Sequence, residues 1–312
     1  MFEVTCVGIL VTDVMVKTVD KIPDKGKLGL VDNINLFIGG CAANSAIDMA
    51  KLGLNTAIVG MVGEDAFGDF MRNELSKNEV NIDGLVACQN ASSASIVLSD
   101  SSGERTFLHC LGANGVFSEK SINYSIIENS KIIFVAGCML MPSFDGEDCA
   151  KFLKKAKEMG KITALDTAWD DTGKWMKTLE GSMQYIDYFI PSIDEAQQLS
   201  KKQKPEDIAA FFFSKGVKHV VIKLGKDGCY FQENAASAGQ YLPSYKIKAV
   251  DTTGAGDSFC AGFLYGISKN MGIKESCRLA NAVGAHCVME MGATAGIKSY
   301  AQTLKFMEEN PL

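Results

Sequence analysis

Short apolar runs of strand length recur along the chain, and segments with helical periodicity lie between them. Because these runs are apolar on both faces, they are typical of strands buried inside a parallel sheet. The regular alternation of such strands with helices predicts a doubly wound, mostly parallel α/β sheet with helices on both faces. The predicted strands span residues 4–11, 56–62, 131–138, 162–166, 186–190 and 218–224, and the predicted helices span residues 43–53, 66–78, 144–160, 171–185, 205–215, 256–270, 274–291 and 300–309.

Two segments interrupt this alternation and predict a separate β-rich element. Residues 12–38 contain strand-like runs around turn-forming residues, and residues 93–111 predict a hairpin in which SSGE joins SASIVLSD to RTFLHCL. Such an excursion commonly covers an active site, although contact with a second copy is an equally physical use of its exposed face. The predicted division is a core of residues 1–12, 38–92 and 112–312 with a β-lid of residues 13–37 and 93–111.

The second strand of the predicted hairpin has two distinct faces. Its alternation puts Thr106, Leu108 and Cys110 on one face, and Arg105, Phe107 and His109 on the other. The sequence leaves open which face points inward, and His109 fits an exposed strand position as well as it fits a ligand contact.

Composition supports a large packed core and limits the class of partner. Of the 312 residues, 47% are hydrophobic and 22% are charged, which excludes a disordered chain. The net charge of −6 gives no electrostatic footprint for nucleic acid or an anionic membrane, so we expect small ligands in a built site. Ten cysteines without a CxxC spacing are expected to be reduced thiols in a cytoplasmic protein. The longest apolar run, residues 132–142, is too short to span a bilayer.

The strongest local signal is AVDTTGAGDSFCAGFLYG, residues 249–266, in which small residues precede an amphipathic helix. The small residues let a ligand approach the backbone, and the free N–H groups of a first helical turn form a site for an anion such as a phosphoryl group. Asp257 begins this helix, where a carboxylate can accept a proton from an attacking hydroxyl. Taken alone, GAGD is more often a helix N-cap after a glycine turn. Neither the P-loop pattern GxxxxGK[ST] nor GxGxxG occurs in the sequence.

A second signal is FIGGCAANSAIDMAKLG, residues 37–53. Gly39 and Gly40 offer backbone N–H groups at the start of a helix, and Asn44 presents a donor and an acceptor together, as a sugar hydroxyl requires. Taken alone, a glycine pair before an alanine-rich helix is more often a tight turn with close packing.

The pair GGCAANSAIDMAKLG and DTTGAGDSFCAGF resembles the two signature motifs of the ribokinase, or PfkB, family of carbohydrate kinases. The resemblance covers essentially the whole chain, because the motif order, the split β-lid and the helical C-terminal quarter all agree. It implies a ribokinase-like fold and transfer of the γ-phosphoryl group of ATP, with Mg²⁺, to the primary hydroxyl of a sugar. By this resemblance, Asp257 is the base, the N–H groups of Gly254, Ala255 and Gly256 form the anion hole, and Asp13, Gly39, Gly40 and Asn44 contact the sugar.

The resemblance also implies a nucleotide site and two cation sites. In IPSIDEAQQL, Glu195 matches the residue that organises Mg²⁺ through water, and Ser192 replaces the family's asparagine. KLGKDGCYF resembles the nucleotide-binding hairpin, and without the family GKDG is simply a hairpin turn. The implied nucleotide contacts are Ser192, Lys223, Gly225, Gly228 and Asn281. Members often bind a monovalent cation such as K⁺ between the loop holding Asp251 and Thr253 and the backbone near Cys287, Glu290, Gly292 and Gly296.

Substrate choice is less well determined. In DTAWDDTGKWM, from Asp166, the family's fructokinase-like and ketodeoxygluconate-kinase-like members often show Asp-x-Asn-x-Arg, and the arginine is absent. Without that guanidinium an acidic sugar is disfavoured, so we expect a neutral pentose or hexose. A nucleoside kinase of the same fold and a catalytically silent sugar sensor remain alternatives, although the presence of Asp257 and Glu195 argues against the sensor. The unpaired strand edges of the lid predict a homodimer joined through it.

Overall fold

The computed structural model describes residues 1–102 and 104–312. None of the helices in this described part combines the length and apolar character that a membrane crossing requires. In chain order the strands are β1 (Phe2–Gly8), β2 (Val11–Lys17), β3 (Asn33–Gly39), β4 (Thr56–Gly63), β5 (Asn81–Cys88), β6 (Ala94–Ser99), β7 (Arg105–Cys110), β8 (Ser130–Cys138), β9 (Ile162–Thr167), β10 (Tyr188–Phe189), β11 (His219–Lys223), β12 (Cys229–Gln232) and β13 (Gln240–Leu242). The α-helices are α1 (Cys41–Leu52), α2 (Ala66–Lys77), α3 (Tyr124–Glu128), α4 (Glu147–Glu158), α5 (Met176–Leu179), α6 (Ile193–Ser200), α7 (Pro205–Ser214), α8 (Ala255–Ser268), α9 (Ile273–Val288) and α10 (Tyr300–Glu309).

The larger sheet has the strand order β13-β12-β11-β10-β9-β8-β1-β4-β5. Its strands are parallel from β5 across to β11, and β12 and β13 pair antiparallel at one edge. Successive residues of a buried strand face opposite layers. Cys6 of β1 packs in the apolar layer that includes α1 and α8, whereas Val7 packs in the layer that includes α4 and α7. The predicted α/β class with helices on both faces is therefore confirmed.

A smaller, separate sheet has the order β3-β2-β6-β7. β2 and β6 are parallel, and the two outer pairs are antiparallel. Asp13, Ser95 and His109 lie directly opposite one another on β2, β6 and β7. This register puts three polar side chains of distant sequence positions in one row across the sheet.

The predicted helix over residues 171–185 is wrong. The carboxylate of Asp170 accepts hydrogen bonds from the backbone N–H groups of Thr172 and Trp175, and this local turn replaces the helical bonds. Trp175 has a positive φ of 43°, so a helix starts only at Met176. The sequence also did not predict β5 or the short edge strand β13, whereas β12 pairs antiparallel with β11 as the second strand of the hairpin expected over KLGKDGCYF.

Candidate active site

A cleft of about 1090 Å³ opens where β9 and β11 of the larger sheet end at their carboxyl ends, next to the start of α8. Open α/β sheets bind ligands at this edge, because loops and helix N-termini converge there. All of the predicted catalytic, nucleotide-binding and Mg²⁺ positions line the cleft, namely Gly254, Ala255, Gly256, Asp257, Ser192, Glu195, Lys223, Gly225, Gly228 and Asn281. The predicted residues Asp13, Gly39, Gly40, Asn44, Asp251 and Thr253 are not part of its lining.

The turn before α8 leaves backbone donors free at the cleft. Gly254 has a φ of 77°, and a Cβ there would overlap the backbone of Ala293, so only glycine fits this position without strain. The N–H of Ala255 donates to the carbonyl oxygen of Thr252 at 3.3 Å. Within the described residues, the N–H groups of Gly254 and Gly256 find no acceptor. Of the three amides in the predicted anion hole, those of Gly254 and Gly256 are therefore free to bind a ligand. The amide of Ala255 already donates a hydrogen bond within the turn.

Asp257 stands on the first turn of α8 with its side chain at the cleft. Its Oδ2 accepts a hydrogen bond from Asn44 Nδ2 at 2.8 Å, so α1 and α8 bring together residues of the two sequence motifs. Burial raises the pKa of Asp257 above its usual range, while the Asn44 hydrogen bond and the nearby charge of Lys223 oppose that shift. A carboxylate with a raised pKa and few donors is a stronger proton acceptor than an exposed one.

A buried ion pair lies beside this base. Lys223 Nζ is 2.6 Å from Asp166 Oδ2, and both side chains are largely buried. Burial raises the pKa of Asp166 to about 7. Burial alone would lower the pKa of Lys223, but the adjacent Asp166 carboxylate raises it, so the ammonium stays charged. The Lys223 ammonium also lies 3.3 Å from where a Cβ of Gly256 would stand, which puts a positive charge beside the amide turn.

Asp166 is a site residue that the sequence reasoning did not assign, although it did identify the segment that Asp166 opens. Its signal is an acidic residue near the end of a buried strand, where a lone charge would be unfavourable without a partner.

The start of α6 orients Glu195 toward the same cleft. Ser192 and Glu195 form a reciprocal capping box: Ser192 Oγ accepts from the Glu195 N–H, and Glu195 Oε2 accepts from the Ser192 N–H at 3.0 Å. Thr167 Oγ1 also lies 3.1 Å from Glu195 Oε2. Serine and asparagine are both favoured N-caps, which accounts for the serine at this position.

The donors around Glu195 fit a Mg²⁺ ion that is held mainly by nucleotide and water. Among the described residues, no group of three or more His, Cys, Asp or Glu side chains could hold a metal by itself. Mg²⁺ usually keeps several waters and takes one or two carboxylates together with substrate phosphates. One oriented carboxylate that lines the cleft is compatible with that mode.

The two glycines and the asparagine that were predicted to contact the nucleotide all lie in the wall of the cleft. Gly228 has a φ of 95°, and a Cβ there would collide with the carbonyl of Leu242. Gly225, with a φ of 58°, has open space around it. Asn281 is buried, and its Nδ2 donates to the carbonyl oxygen of Pro243 at 3.1 Å.

The smaller sheet contains a row of three polar side chains, those of Asp13, Ser95 and His109. Ser95 Oγ lies 3.0 Å from His109 Nδ1. Burial raises the pKa of Asp13, whereas a hydrogen bond from Ser95 and the charge of His109 oppose the rise. A Cβ on Gly39 would overlap the Asp13 carboxylate, so glycine is needed for this close approach. Ser95 was not predicted, and His109, which is exposed, lies on the same face of the sheet as Asp13.

Asn44 has spare hydrogen-bonding capacity. Its Oδ1 is buried and has no partner among the described residues, while its Nδ2 is bonded to Asp257. A buried acceptor without a donor is unfavourable unless a ligand supplies one.

The predicted monovalent-cation site holds an arginine instead. The Asp251 carboxylate accepts from the N–H and hydroxyl of Thr253 and from the Gly292 N–H, and Arg105 pairs with it at 2.6 Å. Among the predicted backbone positions, the Cys287 carbonyl oxygen already accepts from the Glu290 N–H at 3.4 Å. These residues do not fit a bound K⁺ at Asp251, because donors already surround the carboxylate oxygens that would hold it.

Comparison with known proteins identifies the class. The chain matches the model of the pfkB family of carbohydrate kinases over residues 1–299, and it belongs to that family. It is therefore a carbohydrate kinase, a phosphotransferase that uses an alcohol group as acceptor.

Individual relatives bear different substrate names. The chain is 29% identical to a probable fructokinase-5 of Arabidopsis thaliana over 93% of this chain and 94% of that protein. It is 26% identical to a 2-dehydro-3-deoxygluconokinase of Bacillus subtilis over 90% of each. Among solved structures, the ribokinase of Arabidopsis thaliana complexed with ribose and ATP matches with a TM-score of 0.84 and 24% identity, over 98% of this chain and 99% of that one. The structural match confirms the ribokinase-like fold.

Proposed function

We propose that this chain transfers the γ-phosphoryl group of ATP to a primary hydroxyl of a neutral pentose or hexose. The observation that carries the proposal is the Asp257 carboxylate, which stands at the cleft directly after an amide turn with two free N–H groups. Phosphoryl transfer needs a proton acceptor for the attacking alcohol and donors for the transferring group. The first turn of α8 offers both.

The residues divide the chemistry between them. The sugar oxygen attacks the γ-phosphorus as its proton passes to Asp257, and the bond between the γ-phosphorus and the bridging oxygen breaks to release ADP. The N–H groups of Gly254 and Gly256 hold the equatorial oxygens, and Lys223 adds positive charge beside them. Glu195 would hold Mg²⁺ through water, and the ion would neutralise part of the negative charge on the phosphates.

The sugar is proposed to lie between the larger sheet and the smaller one. Support comes from the unpartnered Asn44 Oδ1 and from the polar row formed by Asp13, Ser95 and His109. In this proposal residues 13–37 and 93–111 act as a lid, and the rest of the chain is the core. A closed lid excludes water, which would otherwise compete with the sugar hydroxyl for the phosphoryl group.

The loop after β9 supports a neutral sugar. In the pattern Asp-x-Asn-x-Arg counted from Asp166, Asp170 stands where other members carry arginine. Its carboxylate is buried and accepts from Thr172 and Trp175, so it serves the turn that breaks the predicted helix. A carboxylate at this point offers no partner for the acid group of a sugar acid.

The outer face of the smaller sheet supports a homodimer. Leu36, Ile96 and Leu108 are exposed and lie in one row on β3, β6 and β7, next to the polar row but on the opposite face. A contiguous exposed apolar surface is typical of a protein contact. Light scattering of the wild type and Leu108→Asp tests this: we expect a dimer that the substitution dissociates, and a wild-type monomer would contradict it.

The cytoplasmic location of the protein stays a prediction.

Function is tested by measuring ADP release across a panel of neutral sugars, sugar acids, sugar phosphates and nucleosides. We expect the highest kcat/KM for a neutral pentose or hexose and the loss of most of that turnover in Asp257→Asn. A sugar acid or a nucleoside as the best substrate would overturn the proposed substrate class. Sugar binding without ADP release across the whole panel would indicate a sensor and overturn the proposed reaction.

A further inference from the structure

Arg105 connects the smaller sheet to the loop that precedes α8. It is the first residue of β7, and it lies on the same face of that strand as His109. Its Nη2 is 2.6 Å from Asp251 Oδ1, and its Nη1 donates to Thr253 Oγ1. The guanidinium therefore binds two side chains of one loop, those of Asp251 and Thr253, in a forked arrangement.

The Asp251 carboxylate requires a positive charge. Its side chain is only 4% exposed, and the other groups bonded to it, the Thr253 N–H and hydroxyl and the Gly292 N–H, are neutral. Arg105 is the only basic side chain within ion-pair distance of Asp251 among the described residues. A buried carboxylate with hydrogen bonds but no countercharge remains strongly unfavourable.

This carboxylate organises the approach to the anion hole. Through its two oxygens it joins Thr253 to Gly292, and the residue after Thr253 is Gly254, the N-cap of α8. A shift of the loop would therefore move the amides that face the transferring phosphoryl group. Charge compensation at Asp251 thus bears on catalysis without any contact between Arg105 and the reacting atoms.

We propose that the guanidinium of Arg105 is a built-in countercation for the loop at Asp251, so that this enzyme needs no monovalent metal ion there. Arg105 is a positioning residue in this proposal. A monovalent cation would need several oxygen ligands around it. The Arg105 guanidinium instead donates hydrogen bonds directly to the Asp251 carboxylate and the Thr253 hydroxyl. The kinetic part of the inference rests on the proposed kinase function, and the stability part does not.

The test compares the wild type with Arg105→Ala in potassium, sodium and tetramethylammonium chlorides at matched ionic strength. The wild type should keep the same melting temperature and a kcat within about twofold across the three salts. Arg105→Ala should lose about tenfold or more in kcat in tetramethylammonium, because a charge-assisted hydrogen bond is lost, and regain most of it in potassium. Its melting temperature without substrate should also rise in potassium, and this readout holds even if the substrate class is wrong.

Two further variants keep the proposal falsifiable. Arg105→Lys retains a positive charge, so its kcat and melting temperature should not depend on potassium. This variant tests the proposal even if Arg105→Ala does not fold. Arg278→Ala, which removes an arginine from the exposed pair with Glu275, should behave as wild type in every salt. Activation of the wild type by potassium would overturn the proposal, as would a folded Arg105→Ala that keeps full activity in tetramethylammonium or whose loss potassium does not restore.

Discussion

Two carboxylates six residues apart, Asp251 and Asp257, stand on either side of the glycine turn before α8 and have opposite surroundings. Asp251 accepts three hydrogen bonds from Thr253 and Gly292 and pairs with Arg105. Burial alone would raise its pKa, but these donors lower it to about 2. Asp257 has one amide donor at 2.8 Å, and burial raises its pKa.

Under the proposed mechanism, the contrast separates a structural carboxylate, Asp251, from the proposed base, Asp257. Donors that satisfy every lone pair stabilise the charged form and remove its tendency to take a proton. A carboxylate that is desolvated and has few donors keeps that tendency, which a general base needs. The same residue type in one short motif can therefore hold a loop in place or accept a proton, depending on how many donors the fold directs at it.

The largest effect is expected at the proposed base. Asp257→Asn keeps the shape of the side chain but cannot accept the hydroxyl proton, so kcat should fall by about 10²–10⁴-fold. Binding of ATP and of sugar, measured by calorimetry, should change little, and so should the melting temperature, because burial already disfavours the charge. A kcat near the wild-type value would show that another group accepts the proton.

The structural carboxylate should govern stability instead. The shift of the Asp251 pKa from 3.8 to about 2 corresponds to about 2 kcal/mol, which Asp251→Asn should remove from the free energy of unfolding at neutral pH. Because the folded pKa is the lower one, this contribution is present above the usual pKa and is lost as pH falls toward about 2. Urea titrations of both proteins should therefore converge at acid pH. A difference that stays constant down to that pH would contradict this origin.

The donor at Asp257 can be removed separately. In Asn44→Ala the carboxylate loses its amide donor, so the pKa of Asp257 should rise further and the acidic limb of kcat should move to higher pH. Ser45→Ala is the matched control, since the Ser45 hydroxyl donates to the backbone carbonyl oxygen of Asp257 and not to its side chain. An unmoved limb in Asn44→Ala would mean that the hydrogen bond does not set the basicity of Asp257.

Sequence reasoning singled out Asp257, the proposed base, but not the partners of Asp251, for a physical reason. Asp257 is marked locally, by small residues that run into an amphipathic helix, and such a pattern predicts both the turn and the free amides. The partner of Asp251 lies 146 residues away on the smaller sheet. Alternation correctly grouped Arg105 with His109 but carried no information about which face of β7 points inward.

The same distinction applies to the rest of the fold. Long apolar strands and periodic helices were predictable because the spacing of their hydrophobic residues shows which positions are buried. The broken helix after β9 was not, since one side chain, that of Asp170, redirects the backbone through hydrogen bonds. The pairing of Asp166 with Lys223 likewise depends on the order of strands in the sheet.

The smallest expected effect tests whether the donors at Asp251 act as a set. Thr253→Val preserves the branched shape and the backbone N–H but removes the hydroxyl that donates to Asp251 Oδ1 at 2.7 Å. The free energy of unfolding should fall by about 1 kcal/mol, because the backbone donors and Arg105 remain. Thr252→Val, at an exposed neighbouring position, should change it by less than ~0.5 kcal/mol. If urea titration finds Thr253→Val as damaging as Asp251→Asn, the carboxylate depends on one hydroxyl, and donor number no longer explains why Asp251 and Asp257 behave differently.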